Sequence, residues 1–211
     1  MKEKNKIKAV IFDIGGVLQL EEGRSKDDLH RGIHESIARF FDLDLDTWFD
    51  AIDSVYAKSI EGTIKENTVF RTIARNINSG IRSLQDVLIG TYENNFKRNN
   101  ELFDFAFKLK RKYKIAILSD QWHASKRALI KKEDARRFNV VVVSCDVGMR
   151  KPNPKIYKLT LKRLKMKPEE AVFIDNRDWN IIPAKKLGMK TVLFRNNKQT
   201  FRELKKLGVK I

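Results

Sequence analysis

Four polar residues stand at or just beyond the ends of apolar runs, although they are spread over more than 160 positions. Asp13 follows Ala9-Val10-Ile11-Phe12, Ser119 follows Ile115-Ala116-Ile117-Leu118, and Asp175 follows Ala171-Val172-Phe173-Ile174. Lys151 comes a few residues after Val140-Val141-Val142-Val143, inside Gly148-Met149-Arg150-Lys151-Pro152-Asn153-Pro154. A carboxylate such as Asp13 can act as a nucleophile and form a covalent acyl intermediate. Attack on a phosphate would give an aspartyl-phosphate, and two anions must then be held together. Lys151 offers an ammonium, and a divalent cation held by Asp13 and Asp175 offers more positive charge. Mg²⁺ suits such a place, because it takes oxygen ligands, few carboxylates and several waters. Ser119 can donate a hydrogen bond to a phosphate oxygen, helped by nearby backbone N–H groups such as that of Asp120. Gly15 and Gly16 let a ligand approach the backbone closely. Each residue also has a plainer reading: Asp13, Ser119 and Asp175 as turn caps, Lys151 as a surface lysine before proline.

These residues converge only if the apolar runs are parallel strands of one sheet. Runs of four to eight residues ended by turn residues read as buried parallel strands. Ligand sites in open α/β sheets lie just beyond the carboxyl ends of such strands. Helical patterns separate the runs: residues 102–113, 124–138, a segment opened by Pro154 with Ile156, Leu159 and Leu164, and 179–187 stopped by Gly188. A final strand over 191–194 and a basic helix follow. Gln19 to Gly23 reads as a polar linker. Beyond it come helices with Leu29, Ile33 and Ile37; Phe49, Ile52, Tyr56 and Ile60; Phe70, Ile73 and Ile77; and Leu84, Val87 and Leu88. Their expected N-terminal signals are Ser25 with Asp28, then Asp46, Asn67 and Ser83. The fold class is therefore α/β, a Rossmann-like parallel sheet core (residues 1–20 and 100–211) with an inserted all-helical cap subdomain (21–99) placed to cover the strand ends. His30 and His34 are four apart on the first inserted helix, without an evident third metal ligand.

A chain of 211 residues, 42% apolar and 34% charged, fits one domain with an insertion. No apolar run approaches the roughly 20 residues that span a bilayer. The charged stretch Met1 to Lys8 reads as no signal peptide, and with Cys145 the single cysteine, the expected location is cytoplasmic. The net charge of +17 is uneven: residues 1–100 carry 15 basic and 16 acidic residues, residues 101–211 carry 29 and 11. Lys155, Lys158, Lys162, Arg163, Lys165 and Lys167 are spaced as a solvated helix face. They are not interleaved with aromatics as in a single-strand groove, so nucleic acid is not the favoured partner. Oligomeric state is not readable.

The motifs together resemble the haloacid dehalogenase-like hydrolase superfamily, in the branch with a helical cap inserted after the first strand. Asp13-Ile14-Gly15-Gly16-Val17 is similar to the family's first motif, Asp-x-Asp-x-(Thr/Val), except at its third position. Ile117-Leu118-Ser119-Asp120 resembles the second, Gly148 through Pro154 the third, and Phe173-Ile174-Asp175-Asn176 through Asn180 and Gly188-Met189 the fourth in part. The resemblance implies Asp13 as nucleophile with Ser119 and Lys151 as its catalytic partners. It implies Gly16, Ser119, Asp120 and Lys151 around the substrate, and Mg²⁺ held by Asp13, the Gly15 backbone carbonyl, Asp175 and Asn176. The implied activity is phosphomonoester hydrolysis on a small soluble phosphate. Two departures bear on it. The family's acid stands where this chain has Gly15, and losing a positioned acid/base costs about 10²–10⁴-fold. Asn176 replaces the second Asp of a pair and lacks its charge. Asp120, Asp146, Asp178 or a cap residue can substitute as the acid. A dehalogenase-type hydrolase needs no acid at Gly15, and a catalytically degenerate protein that binds a phosphorylated ligand or nucleic acid would tolerate both departures.

Overall fold

The structure, a computed structural model, describes residues 6–21 and 26–210, with the side chains of 26–31 left out. Five strands form one parallel sheet: β1 (Ala9–Phe12), β4 (Lys114–Ser119), β5 (Val140–Val143), β6 (Ala171–Asp175) and β7 (Lys190–Leu193), in the order β5-β4-β1-β6-β7. Helix α5 (Asn100–Leu109) leads into β4. Helices α6 (His123–Leu129) and α7 (Lys132–Ala135) join β4 to β5. Helices α8 (Ser144–Val147) and α9 (Pro154–Leu164) join β5 to β6, α10 (Asp178–Lys186) joins β6 to β7, and α11 (Asn197–Lys206) closes the chain.

Both sheet faces are covered, which is why the strands read as continuous apolar runs rather than alternating ones. Successive β1 residues point to opposite faces. Val10 and Phe12 pack with Leu102, Phe103 and Ala106 of α5 and Leu204 of α11. Ala9 and Ile11 pack with Ile156, Tyr157 and Leu161 of α9 and Ala184 of α10. The α/β, Rossmann-like class expected from the strand pattern is what the chain adopts.

Between β1 and α5 the chain runs through β2 (Gln19–Glu21), α1 (Lys26–Phe40), α2 (Leu45–Glu61), α3 (Glu66–Asn76), α4 (Ile81–Asn95) and β3 (Phe96–Arg98). The four helices pack α1 on α2 and α4, and α3 on α2 and α4. Trp48, Phe70 and Leu88, all fully buried, lie in their core. The bundle rests on the α/β half through α4 on α6 and α2 on α8. Two buried hydrogen-bonded contacts tie the halves: Trp122 Nε1 donates to Tyr92 Oη at 2.9 Å, and Ser59 Oγ lies 2.7 Å from His123 Nδ1. Gly62 closes α2 with φ +68°, and a Cβ there would come within 2.8 Å of the Ser144 and Cys145 carbonyls, so only glycine lets α2 sit this close to α8.

Several local expectations are corrected. Gln19–Glu21 is a strand, not a linker, because the chain leaving the sheet at β2 pairs antiparallel with the chain returning at β3. The helix over 124–138 breaks into α6 and α7 at Ile130 (φ −113°, ψ 80°) and Lys131 (φ −65°, ψ 139°), neither of which has helical angles. Helix α2 is capped by Asp44, whose carboxylate accepts from Thr47 N, and not by Asp46. Helices α3 and α4 have Lys65 and Gly80 at their N-cap positions, ahead of Asn67 and Ser83, with no side-chain cap. Ser25 lies outside the described residues, as does the side chain of His30. His34 is a core histidine that accepts from Trp48 Nε1 at 2.9 Å. Lys155, Lys158, Lys162, Arg163, Lys165 and Lys167 are all exposed, as a solvated face requires.

Candidate active site

The register between β1 and β6 pairs Phe12 with Ile174, and Asp13 N donates to Ile174 O at 3.0 Å. The next residues in that register, Asp13 and Asp175, therefore leave the sheet side by side. On the other flank β4 ends at Ser119, just beyond the strand pairing of Phe12 with Ile117. Residues far apart in sequence meet here because β1 is the central strand and its carboxyl end is shared by both neighbours.

Lys151 reaches this point from the loop before α9. It is 2% exposed, and its Nζ lies 2.6 Å from Asp175 Oδ2 and 3.1 Å from Asp13 Oδ1. Its loop is held to the end of β4 by Lys151 N donating to Asp120 Oδ1 at 3.0 Å. Asp175 is fixed from behind: Arg177 N donates to its Oδ1 at 2.8 Å, and Asn180 Nδ2 reaches both oxygens at 3.2 and 3.1 Å. Gln121 Nε2 donates to Ser119 Oγ at 3.1 Å, which leaves the Ser119 hydroxyl proton for the Asp13 carboxylate beside it.

Burial pushes the Asp13 carboxyl up to about 7, against the pull of the Lys151 ammonium and the Ser119 hydrogen bond and with a further push from Asp175. Burial also raises Asp120, again opposed by Lys151. For Lys151, burial works against the charge, but Asp13, Asp175 and Asp120 outweigh it and hold the ammonium well above its usual value. Three carboxylates, Asp13, Asp175 and Asp120, thus share one buried ammonium.

Above the strand ends lies a cavity of about 360 Å³. Asp13, Gly15, Asp120 and Lys151 form part of its lining; Gly16, Ser119, Asp175 and Asn176 are not among the lining residues. Tyr56 and Ile60 of α2 and Tyr92 of α4 line it from the helical side. Arg150, Arg177 and Trp179 also line it. Trp122 lines it while donating to Tyr92, whereas His123 turns away to Ser59. Asp146 is committed to Lys126 at 2.6 Å on the surface. Trp48 sits in the bundle core and takes no part.

Sequence reasoning passes over Gln121, Glu21, Tyr56, Tyr92, Arg150 and Arg177 as site residues. Gln121 is the most accessible of them to such reasoning, standing two residues from Ser119 at a strand end. Tyr56 and Tyr92 carry no local signal, since only the docking of α2 and α4 turns them inward.

The haloacid dehalogenase-like hydrolase family model matches residues 7–188. The chain belongs to the haloacid dehalogenase-like hydrolases. Among similar proteins, bifunctional epoxide hydrolase 2 of Rattus norvegicus is 37% identical over 115 residues, which is 52% of this chain and 21% of that protein. The chain thus spans about a fifth of the length of the epoxide hydrolases it matches. Glyceraldehyde 3-phosphate phosphatase of Methanopyrus kandleri is 47% identical over 62 residues, covering 29% of this chain and 27% of that one. A HAD family enzyme of Bacteroides thetaiotaomicron, solved with magnesium and inorganic phosphate, superposes with a TM-score of 0.69 at 20% identity over 90% of this chain and 94% of its own. A HAD-like hydrolase of Porphyromonas gingivalis gives 0.71 at 24% identity over 97% and 99%. These structures share the fold of this haloacid dehalogenase-like hydrolase.

Proposed function

We propose that this hydrolase is a Mg²⁺-dependent phosphatase that acts on a small phosphorylated metabolite through an aspartyl-phosphate at Asp13. The carrying observation is the buried Lys151 ammonium, held within 3.1 Å of Asp13 and 2.6 Å of Asp175 at the floor of the cavity. A surface lysine has no reason to be buried there, while an anionic substrate arriving at an anionic nucleophile needs that charge in place. In this reading Asp13 attacks phosphorus, with Lys151 and the Ser119 hydroxyl offsetting the charge on the phosphoryl oxygens. Asp120 holds the Lys151 loop, Gly16 and Asp120 bring backbone close to the substrate, and Asn180 orients Asp175. Residues 1–20 and 100–211 act as the catalytic core, and 21–99 as a cap whose Tyr56, Ile60 and Tyr92 meet the substrate's leaving group.

The donor set fits Mg²⁺. Asp13 and Asp175 leave neighbouring strands together, with the Gly15 carbonyl and the Asn176 amide as further hard oxygens. Among the described residues no group of three or more His, Cys, Asp or Glu is placed to hold a metal ion, so the fit rests on the two carboxylates with the Gly15 and Asn176 oxygens, and Mg²⁺ takes few carboxylates plus waters and substrate phosphate. Bound there, Mg²⁺ would add positive charge beside Asp13 and Asp175 and polarise the phosphoryl group. The magnesium and phosphate found with the Bacteroides enzyme and the phosphatase activity named for the Methanopyrus protein support this reading. Among the described residues no helix is long and apolar enough to cross a membrane.

The test is phosphate release from an aryl phosphate and a panel of sugar, nucleotide and carboxylic-acid phosphates, with Mg²⁺ and with chelator, for the wild type and Asp13→Asn. Turnover that needs both the metal and Asp13 is the expected result. A folded wild type that releases no phosphate from any of them, or an Asp13→Asn variant that keeps the rate, overturns it.

A further inference from the structure

We propose that Glu21 is the general acid and base of the reaction, supplying from β2 the proton-transfer group that Gly15 cannot carry. This rests on the phosphatase reading above. Gly15 leaves open space beside Asp13: a Cβ placed there would meet nothing nearer than Gln121 Nε2 at 4.0 Å. The chain then turns back on itself. Gly16 adopts φ +72°, its N–H donates to Gln19 O at 2.7 Å, and Gln19 N donates to Ile14 O at 2.8 Å. This turn delivers Glu21, paired opposite Phe96 of β3, into the cavity lined by Asp13 and Gly15. Glu21 Oε1 comes within 3.5 Å of the point a Gly16 Cβ would occupy, beside the Asn176 amide, so the carboxylate lies over Gly16 and next to the open space at Gly15.

The other candidates are engaged or unsuited. Asp120 uses Oδ1 to accept from Lys151 N, Asp146 is paired with Lys126 at the surface, and Asp178 is not among the residues lining the cavity. Burial holds the Tyr92 phenol well above its ordinary value, so it keeps its proton, and Tyr56 is shifted the same way by burial. None of the ion pairs among the described residues involves Glu21, which lines the cavity with Asp13 and Gly15 and holds Oε1 beside Gly16.

The proton count closes. As Asp13 forms its bond to phosphorus and the ester P–O bond breaks, the Glu21 carboxyl gives its proton to the leaving alkoxide. The resulting carboxylate then takes a proton from the water that attacks phosphorus. The Asp13–phosphorus bond breaks, inorganic phosphate leaves, and both side chains return to their starting forms.

Glu21→Gln keeps the shape and removes the proton transfer. It is measured in saturating Mg²⁺ on para-nitrophenyl phosphate, whose leaving group needs no proton, and on a simple alkyl phosphate, whose leaving group does. The expected result with the aryl ester is a burst of one nitrophenolate per enzyme, followed by turnover slowed about 10²–10⁴-fold because water lacks its base. With the alkyl ester the phospho-enzyme itself should not accumulate. Gly15→Asp added to Glu21→Gln should restore alkyl turnover, since the open space accepts the new side chain. An unchanged alkyl rate overturns the proposal. So does an equal loss of burst and turnover, or a loss repaired by more Mg²⁺, which would make Glu21 a metal ligand. If the wild type itself shows no Asp13-dependent turnover, the phosphatase reading fails and this one falls with it. Normal wild-type turnover with an unaffected Glu21→Gln removes this one alone.

Discussion

Asp13 should cost the free protein stability at neutral pH, and replacing it with Asn should give that stability back. Asp13 is 6% exposed, and burial lifts its carboxyl from 3.8 to about 7. An acid whose folded-state value lies above its unfolded value binds its proton more tightly in the fold. Its stabilising contribution is complete below the unfolded value and is lost as pH rises through the folded one. A tenfold difference in proton affinity between folded and unfolded chain is worth about 1.36 kcal/mol, so the full loss is on the order of 4 kcal/mol, and roughly 3 kcal/mol of it falls between about pH 5 and pH 8. Asn has the same shape, keeps an oxygen for Lys151 and for the Ile14 N–H that donates to Asp13 Oδ1 at 2.8 Å, and does not titrate. Urea unfolding of wild type and Asp13→Asn, in chelator across this pH range, reads the effect as the pH dependence of the difference between the two. The variant should be the more stable at the alkaline end, by a margin that shrinks steadily towards the acid end. A margin independent of pH, or a wild type that is the more stable at the alkaline end, would refute the burial account of Asp13.

Lys151→Met leaves Asp13 and Asp175 facing each other without their shared ammonium; it should cost about 3–5 kcal/mol in urea unfolding and abolish phosphate release. Gly16→Ala forces a Cβ to within 2.0 Å of Asn176 Nδ2 at φ +72°. It should lose about 1–3 kcal/mol and raise the Mg²⁺ concentration needed for half-maximal turnover. Tyr92→Phe strips the buried Trp122 N–H of its acceptor at 2.9 Å, and should lower the unfolding free energy by about 1–3 kcal/mol, with a red or blue shift of Trp122 fluorescence reporting the change.

Much of the site is legible in the sequence because its supports are local. Asp13, Ser119 and Asp175 each end an apolar run, and a buried parallel strand is recognisable from that run alone. Lys151 precedes Pro152 and a helix opened by Pro154, which marks a loop at a strand's carboxyl side. The departures also have local causes. Asp46, Asn67 and Ser83 point to helix starts because those side chains favour caps, but only α2 of these three helices uses a side-chain cap, and it is Asp44. Gln19–Glu21 resembles a linker because three residues with one apolar side chain carry no periodicity. Their strand character comes from pairing with Phe96–Arg98, more than 70 positions away.

The sequence alone therefore determined the family, the parallel sheet and the side chains at its carboxyl edge, since periodicity, turn residues and motif order are properties of neighbouring positions. Tertiary structure decided what depends on distance between remote segments. It buried Lys151 between two carboxylates, lifted Asp13 by taking it out of water, and turned Tyr56 and Tyr92 of the inserted helices onto the site. It also folded Glu21 back over Gly16. Burial and charge proximity arise only when segments far apart in the chain are packed together, so no local pattern could have carried them.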